Sequence, residues 1–341
     1  MRRQQGSVII IVLWTSVLLT VLVTVMAGKV QLSAKTAFHN ASAVAAMAST
    51  NSAMYKAEME LILEKMTAPI DKEIEVDEDG NSRIDAYRFN GQALSLFNPL
   101  DEDMIVRIYD HAGKINLNGM SQQNLRLLIE NRMGEDVDVD RVQELLMAWV
   151  DWFDLNDAAN INGADTDYYE SLDPPYSPRN YSELDSVEEI RLIRGFDELF
   201  KDVNLEAAFT VYGSTSRVNL NVATREAMQL LPGLDDELIE EIIAYRERKD
   251  FRSQSDVGNI VPLDSFVELS NWIGTNTSSY YSVFAYPKAE LTDEELASGQ
   301  DPVKQAYMEI VEVRGPRDRA RVYKVDPYGR LPDTSPARVE D

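Results

Sequence analysis

The residues best suited to chemistry lie in one acidic stretch. It reads Asp151-Trp152-Phe153-Asp154-Leu155-Asn156-Asp157 and continues through Gly163-Ala164-Asp165-Thr166-Asp167-Tyr168-Tyr169-Glu170. Asp154 and Asn156 stand two apart, and so do Asp165 and Asp167. In a tight loop that spacing lets successive side-chain oxygens converge on one centre, and Gly163 permits the turn. Calcium takes about six to eight such hard ligands at roughly 2.3–2.6 Å, with backbone carbonyls and water completing the shell. The order is not that of an EF-hand, because the loop with Gly at its middle and Glu at its end is missing. The same residues also read as a solvated acidic loop, and spacing alone leaves both readings open.

A second constellation is Leu231-Pro232-Gly233-Leu234-Asp235-Asp236-Glu237, followed by Ile242-Ile243-Ala244-Tyr245-Arg246 and Phe251-Arg252-Ser253. It resembles a helix-hairpin-helix, with Pro-Gly turning between an upper helix and one capped by Asp235. In nucleic-acid binders such a hairpin offers backbone amides and cations to phosphate. Here the second helix opens on three carboxylates and carries Glu240 and Glu241, which repel phosphate, so a packing module is expected. No nucleophile–base set, phosphate loop, dinucleotide glycine pattern or zinc-protease motif is present. No carboxylate pair is singled out as a glycosidase-type dyad. A non-enzymatic protein is expected, against the alternative of a membrane-anchored periplasmic hydrolase using carboxylates.

Composition narrows the classes further. The 341 residues carry 58 acidic and 33 basic side chains, a net charge of −25, which disfavours nucleic acid and anionic headgroups as partners. Cysteine is absent, so neither a disulfide scaffold nor a thiolate site exists. His39 and His111 are the only histidines, too few for a zinc site built on imidazole.

The element that must position all of this is the N-terminal helix. A basic leader, Met1-Arg2-Arg3-Gln4-Gln5-Gly6, runs into an uncharged apolar stretch over residues 7–28. About twenty such residues span a hydrocarbon core of roughly 30 Å, and in lipid they must be helical. Arg2 and Arg3 keep the N-terminus cytoplasmic and send the rest across. Three readings fit the segment: an uncleaved signal anchor, a signal peptide cut after Ala27, and a prepilin-like leader cut after Gly6. Residues 29–66 lack Pro and Gly, and Ala45, Met47, Met54, Ala57 and Leu61 recur at rough helical spacing. The helix is therefore expected to continue until Pro69 stops it.

Beyond it, residues 77–81 read as a turn and 83–89, 104–109, 209–212, 281–286, 308–313 and 319–325 as strands. Residues 315–318 read as a hairpin-like connection, and 331–341 as a flexible polar tail. There is an internal echo: Lys114-Ile115-Asn116-Leu117-Asn118 before Ser121, and Arg217-Val218-Asn219-Leu220-Asn221 before Thr224. Each copy reads as a strand end whose Asn side chains close a turn, followed by a helix cap. The expected result is two helical excursions set into one strand-bearing domain.

Taken in order, these signals resemble one family. They are the Arg-Gln-Gln-Gly leader and its helix, Gly113-Lys114-Ile115-Asn116-Leu117-Asn118, Asp151-Trp152-Phe153-Asp154, Gly163-Ala164-Asp165 with Asp167-Tyr168-Tyr169, and Pro174-Pro175-Tyr176 with Pro178-Arg179-Asn180. Val218-Asn219-Leu220-Asn221 and its hairpin complete the set. The chain is similar over about residues 2–286 to the minor pseudopilin K family of the bacterial type II secretion system (general secretion pathway protein K). The resemblance implies an α+β, pilin-like fold: a long N-terminal helix on an antiparallel sheet, with a large inserted helical domain. The implied layout is a leader at 1–6, a transmembrane helix at 7–28 and its periplasmic extension at 29–66. The sheet domain takes 67–118, 207–221 and 280–330, the insert with the acidic loop 119–206, the helix-hairpin-helix-like segment 222–279, and the tail 331–341.

The resemblance also implies cleavage after Gly6 by the prepilin peptidase and N-methylation of Ser7, where most pilins have a larger apolar residue. Most pilins carry Glu five residues into the mature chain, but here that position is Ile11, as in this family. A protomer without that carboxylate suits the tip of the pseudopilus. Implied partners are other minor pseudopilins, the major pseudopilin and the inner-membrane assembly platform, with the bulk of the chain periplasmic. Calcium in the insert is implied as well, with Asp151, Asp154, Asn156, Asp157, Asp165 and Asp167 as the pool of ligands. A minor pilin of a type IV pilus is the alternative of the same general build.

Overall fold

The computed structural model describes residues 5–66, 75–76, 82–83, 89–94, 96–101, 103–134, 137–288 and 303–333. The expected turn at 77–81 and most of the strand expected at 83–89 lie outside these residues. The chain divides into two units, Met1–Ser52 and Ala53–Asp341.

Helix α1 runs from Gln5 to Glu64 without interruption. In the first unit its apolar side chains are exposed, and the helix is long and apolar enough to cross a membrane. The hydroxyls in the span turn inward on the helix: Thr15 donates to the Val12 carbonyl, Ser16 to Leu13, Thr20 to Ser16 and Thr24 to Thr20. A hydroxyl bonded to its own helix carries no unmet donor into an apolar medium.

In the second unit the last turns of α1 supply Ala53, Met54, Ala57 and Leu61 to a core. Their spacing places them on one helical face. Of the residues expected to form this face, Ala45 and Met47 are exposed instead. Strands β1 (Glu75–Val76) and β2 (Ser82–Arg83) form a small antiparallel pair. The principal sheet takes β3 (Asn90–Ala93) and β4 (Met104–Asp110) early in the chain. Its other three strands come after the insertion.

The insertion opens with a 3-10 turn at His111–Gly113 and β5 (Ile115–Asn116). Helices α2 (Gln122–Met133), α3 (Val139–Phe153) and α4 (Thr166–Glu170) follow. After a 3-10 segment at Val187–Leu192 come α5 (Phe196–Leu199) and α6 (Leu205–Ala208). Next are β6 (Phe209–Thr210), β7 (Val218–Asn219), α7 (Arg225–Met228) and α8 (Asp236–Arg248). The excursion closes with α9 (Gln254–Gly258), α10 (Leu263–Leu269) and β8 (Ile273–Gly274).

Strands β9 (Tyr280–Pro287), β10 (Gln305–Glu312) and β11 (Arg321–Arg330) complete the sheet, in the order β11-β10-β9-β4-β3 with every pairing antiparallel. Alternation along β9 sends Tyr281, Val283 and Ala285 to the α1 face. Phe284 and Tyr286 point to the opposite face, with Tyr109, Met308 and Ile310. The helical part has its own core, from Ile115 to Ile273, around Trp152, Tyr169, Phe196, Phe200 and Phe209.

Three expectations are corrected. Residues 209–212 and 218–221 do not join the principal sheet. β6 pairs in parallel with β5, and β7 in parallel with β8, as separate two-stranded sheets. Both are too short to extend a ladder, and β4 already has β3 and β9 on its two sides. The last strand runs past residue 325 through Pro327 to Arg330, because an edge strand tolerates a proline that donates nothing to a neighbour. The tail is held at its start: Leu331 N–H donates to the Lys304 carbonyl, and Arg225 meets Asp333 at 3.4 Å. Residues 334–341 lie outside the described residues.

The internal echo forms as two matching seams. Asn116 Oδ1 accepts from Asn118 N–H, and Asn219 Oδ1 from Asn221 N–H. Asn118 bridges to Leu184 and Val211, and Asn221 bridges both polar groups of the Phe251 backbone. Ser121 then caps α2 through Asn124 N–H, and Thr224 caps α7 through Ala227 N–H.

Candidate functional site

The acidic loop begins where α3 ends. The last turn of α3 is amphipathic and buries Asp151 and Trp152. Trp152 packs edge-on to Tyr169, 5.1 Å between ring centroids, and donates from Nε1 to Glu189. Tyr169 is fixed in turn by Arg194 N–H at its hydroxyl, and burial pushes its phenol well above the ordinary range. A rigid aromatic wall thus backs the loop.

Within the loop, Asp151 accepts from Asn160 N–H at 3.1 Å and from the Asn160 side-chain amide. Asn160 in turn accepts Gly163 N–H at 2.8 Å through its carbonyl. Gly163 sits so close that a Cβ there would lie 1.9 Å from Asp151 Oδ2; only glycine fits. Asp154 accepts from Asn156 at both its backbone and side-chain nitrogens, and Asn156 accepts from Ala158 N–H. Asp157 accepts from the Thr166 hydroxyl, which ties the two ends of the loop together.

Asp165 is buried at the start of α4 and accepts Thr166 N–H through Oδ1 at 2.7 Å. Its second oxygen, Oδ2, is buried with no partner among the described residues. Asp167 is exposed on the first turn of α4. The structure therefore brings Asp151, Asp157 and Asp165 onto one closed loop and leaves Asp167 outside it. No preassembled group of three or more acidic or imidazole side chains is present among the described residues. The donor types are hard oxygens, as a hard cation requires, and Asp165 Oδ2 is a buried carboxylate oxygen lacking a hydrogen bond, but the side chains are not gathered around one centre.

The other expected positions lie at the start of α1. Gly6 and Ser7 are helical, and Ile11 is 59 % exposed, with no acidic residue in the first turn of the helix.

A polar knot escaped the sequence reading. Asp110, His111, Lys114, Thr210 and Ser282 are all buried where β4 and β9 meet the insertion. Lys114 Nζ donates to Ser282 Oγ at 2.8 Å, so the Ser282 hydroxyl proton is free to go to His111 Nε2, 2.9 Å away. His111 Nδ1–H then donates to Thr210 Oγ1, at 2.8 Å. Burial holds His111 neutral, well below its usual range, and Lys114 adds to the effect. Burial also lowers Lys114 to about 8, opposed by Glu206 and Glu226. It raises Asp110 to about 6, opposed by the N–H groups of Ala112 and Ser278. Lys324 of β11 reaches the insertion at Glu188 and Glu206. Gly113 is required here because a Cβ would lie 2.1 Å from the Val222 carbonyl oxygen. In the sequence, His111 and Lys114 flank a glycine and Lys114 opens the first copy of the echo, with no sign of burial.

A long apolar helix whose end packs on an antiparallel sheet, with a large helical insertion between β4 and β9, defines a pilin-like protein of the α+β class. Residues 113–203 match the family described as Type II secretion system (T2SS), protein K. The fold is similar to that of a chain in the GspK-GspI-GspJ complex from the Type 2 Secretion System of enterotoxigenic Escherichia coli. The TM-score is 0.52 at 14% identity, over 86% of this chain and 98% of that one. No curated protein sequence matches. The family match over residues 113–203 and the similarity of fold agree with the resemblance read from the sequence.

Proposed function

We propose that this protein sits at the tip of the type II secretion pseudopilus. There it initiates and caps assembly and supports export of folded proteins across the outer membrane. The observation that carries this reading is Ile11. A helix entering a filament without a carboxylate at that depth has no buried charge to offer the N-terminal ammonium of a subunit further out. The bulky insertion also fits an end position better than a close-packed shaft. The role is one of assembly rather than catalysis, with α8 and its neighbours as a packing module. The chain is anchored in the inner membrane by α1, with residues beyond it in the periplasm. It is cleaved after Gly6 by the prepilin peptidase and methylated on Ser7.

The GspK of the similar structure is complexed with GspI and GspJ, and other minor pseudopilins are the partners proposed here. The major pseudopilin and the assembly platform follow in the same scheme. We assign calcium to the acidic loop, with Asp165 and Asp151 as the buried anchors and Asp154, Asn156 and Asp157 supplying further oxygens. Its contribution is to hold the loop closed.

Ile11→Glu tests the tip role. The variant is expected to insert in the membrane normally, while filament initiation and the minor-subunit complex change. Normal secretion with an unchanged complex would remove the argument. Intact mass of the same samples reads cleavage after Gly6 and methylation of Ser7.

A further inference from the structure

The β10–β11 hairpin is the one strongly basic stretch of an acidic protein. Residues 314–330 hold six Arg or Lys and two Asp, in a chain of net charge −25. Some of these cations are used internally: Arg314 pairs with Glu312, and Lys324 with Glu188 and Glu206. Arg317, Arg319 and Arg321 are exposed, and no ion pair engages them among the described residues. Three arginines left unmatched beside so many carboxylates point to a charge that comes from outside.

The same place carries an open ladder. β11 is the edge of the principal sheet, and among the described residues only β10 pairs with it. From Arg321 to Asp326 the strand holds no proline, with one register shift at Tyr323, where Lys324 pairs Ile310 and Val322 pairs Val311; Pro327 then ends the length a further strand could use. Six residues make about 20 Å of edge. Val322 and Val325, opposite Val311 and Glu309, are 48% and 50% exposed. Unpaired backbone, two apolar side chains and adjacent cations are the components of strand addition, in which main-chain bonds give affinity and side chains give specificity.

We propose that the outer edge of β11, with Arg317 and Arg319 of the preceding turn, docks an acidic extended segment of another polypeptide as a sixth strand. The cations select the partner by charge and speed its approach, and the ladder fixes its register. A second copy of this chain is disfavoured, because it would bring one basic edge onto another. An anionic membrane surface would use the arginines but leave the ladder unpaired.

The absence of cysteine makes the test direct. The full chain carrying Val325→Cys, labelled with a benzophenone maleimide in native-host membranes, is photolysed and the adduct identified by mass spectrometry. The expected adduct is a net-negative peptide of a different polypeptide. Its yield should fall roughly fivefold or more when Arg317, Arg319 and Arg321 are changed to Glu, and also in high salt. These arginines make no ion pair among the described residues, and near-UV circular dichroism verifies that the variant is folded. The proposal is overturned by no adduct, by an adduct to lipid, to a second copy or to residues 289–302 of the same chain, or by a yield indifferent to the arginines.

Discussion

Replacing Asn118 by Ala removes one side chain that holds three separate backbone groups. Its Nδ2 donates to the Leu184 and Val211 carbonyls at 3.1 and 3.0 Å, and its Oδ1 accepts Leu184 N–H at 2.8 Å. Leu184 and Val211 are both buried, so each group left without a partner costs about 1 kcal/mol or more. The substitution should therefore destabilise by roughly 3 kcal/mol. Asn221→Ala loses two bonds, both to Phe251 at 2.8 and 3.0 Å, and should cost about 2 kcal/mol. Asn118→Asp has nearly the same shape but turns a carboxylate towards two carbonyls. It should do no better than alanine. Urea unfolding of the full chain in detergent, followed by tryptophan fluorescence, measures all three. An Asn118→Ala variant within 1 kcal/mol of the parent, or an Asn118→Asp variant equal to it, would refute the seam as described.

Other expectations follow the same logic. Calcium at a hundredfold excess over its dissociation constant should stabilise by about 2.7 kcal/mol, a rise of roughly 5–10 °C in midpoint. EGTA or Asp165→Asn should abolish that rise; no rise, or an equal one with magnesium, would count against the site. Burial lowers Lys114 to about 8 from 10.5, so the folded chain releases this proton before the unfolded chain does. Stability should then climb by roughly 3 kcal/mol as pH rises from about 8 to 10.5. Lys114→Met should flatten that climb, and a slope unchanged in the variant would show that Lys114 is not its source. Gly113→Ala should prevent normal folding, since the Val222 carbonyl cannot yield to a Cβ at 2.1 Å. Gly119→Ala, whose Cβ meets nothing closer than 3.5 Å, should be tolerated, and equal losses for the two in a thermal melt would contradict this contrast.

What could be read from the sequence was what is encoded locally. The long helix follows from an unbroken apolar and Ala-rich run, and the strand near residues 104–109 follows from alternation. The asparagine turns were legible because Asn118 and Asn221 each sit two residues after another Asn and shortly before a cap. Pairing was not legible. Nothing in Phe209-Thr210 states that its partner is Ile115-Asn116 in parallel, because two-residue strands carry no periodicity. Lys114 gave no sign of burial, since its neutralising surroundings come from Ser282, Glu206 and Glu226, far along the chain. In the acidic loop, the ligand types were visible, but the buried, unpartnered oxygen of Asp165 depends on how α4 docks.

The sheet is discontinuous in the chain, and this has a consequence in time. β4 cannot meet β9 until the whole insertion has been made. Asp110 and Ser278, which bond across that junction, are 168 residues apart. At a synthesis rate of about 5–20 residues per second, the wait is roughly ten to thirty seconds. The core of the insertion needs only residues between Ile115 and Ile273, so it can be complete before β9 exists. Throughout that interval β4 presents an open edge, with β3 alone beside it. Any factor that shields a nascent chain has its clearest reason to act here, on a strand that is finished early and paired late.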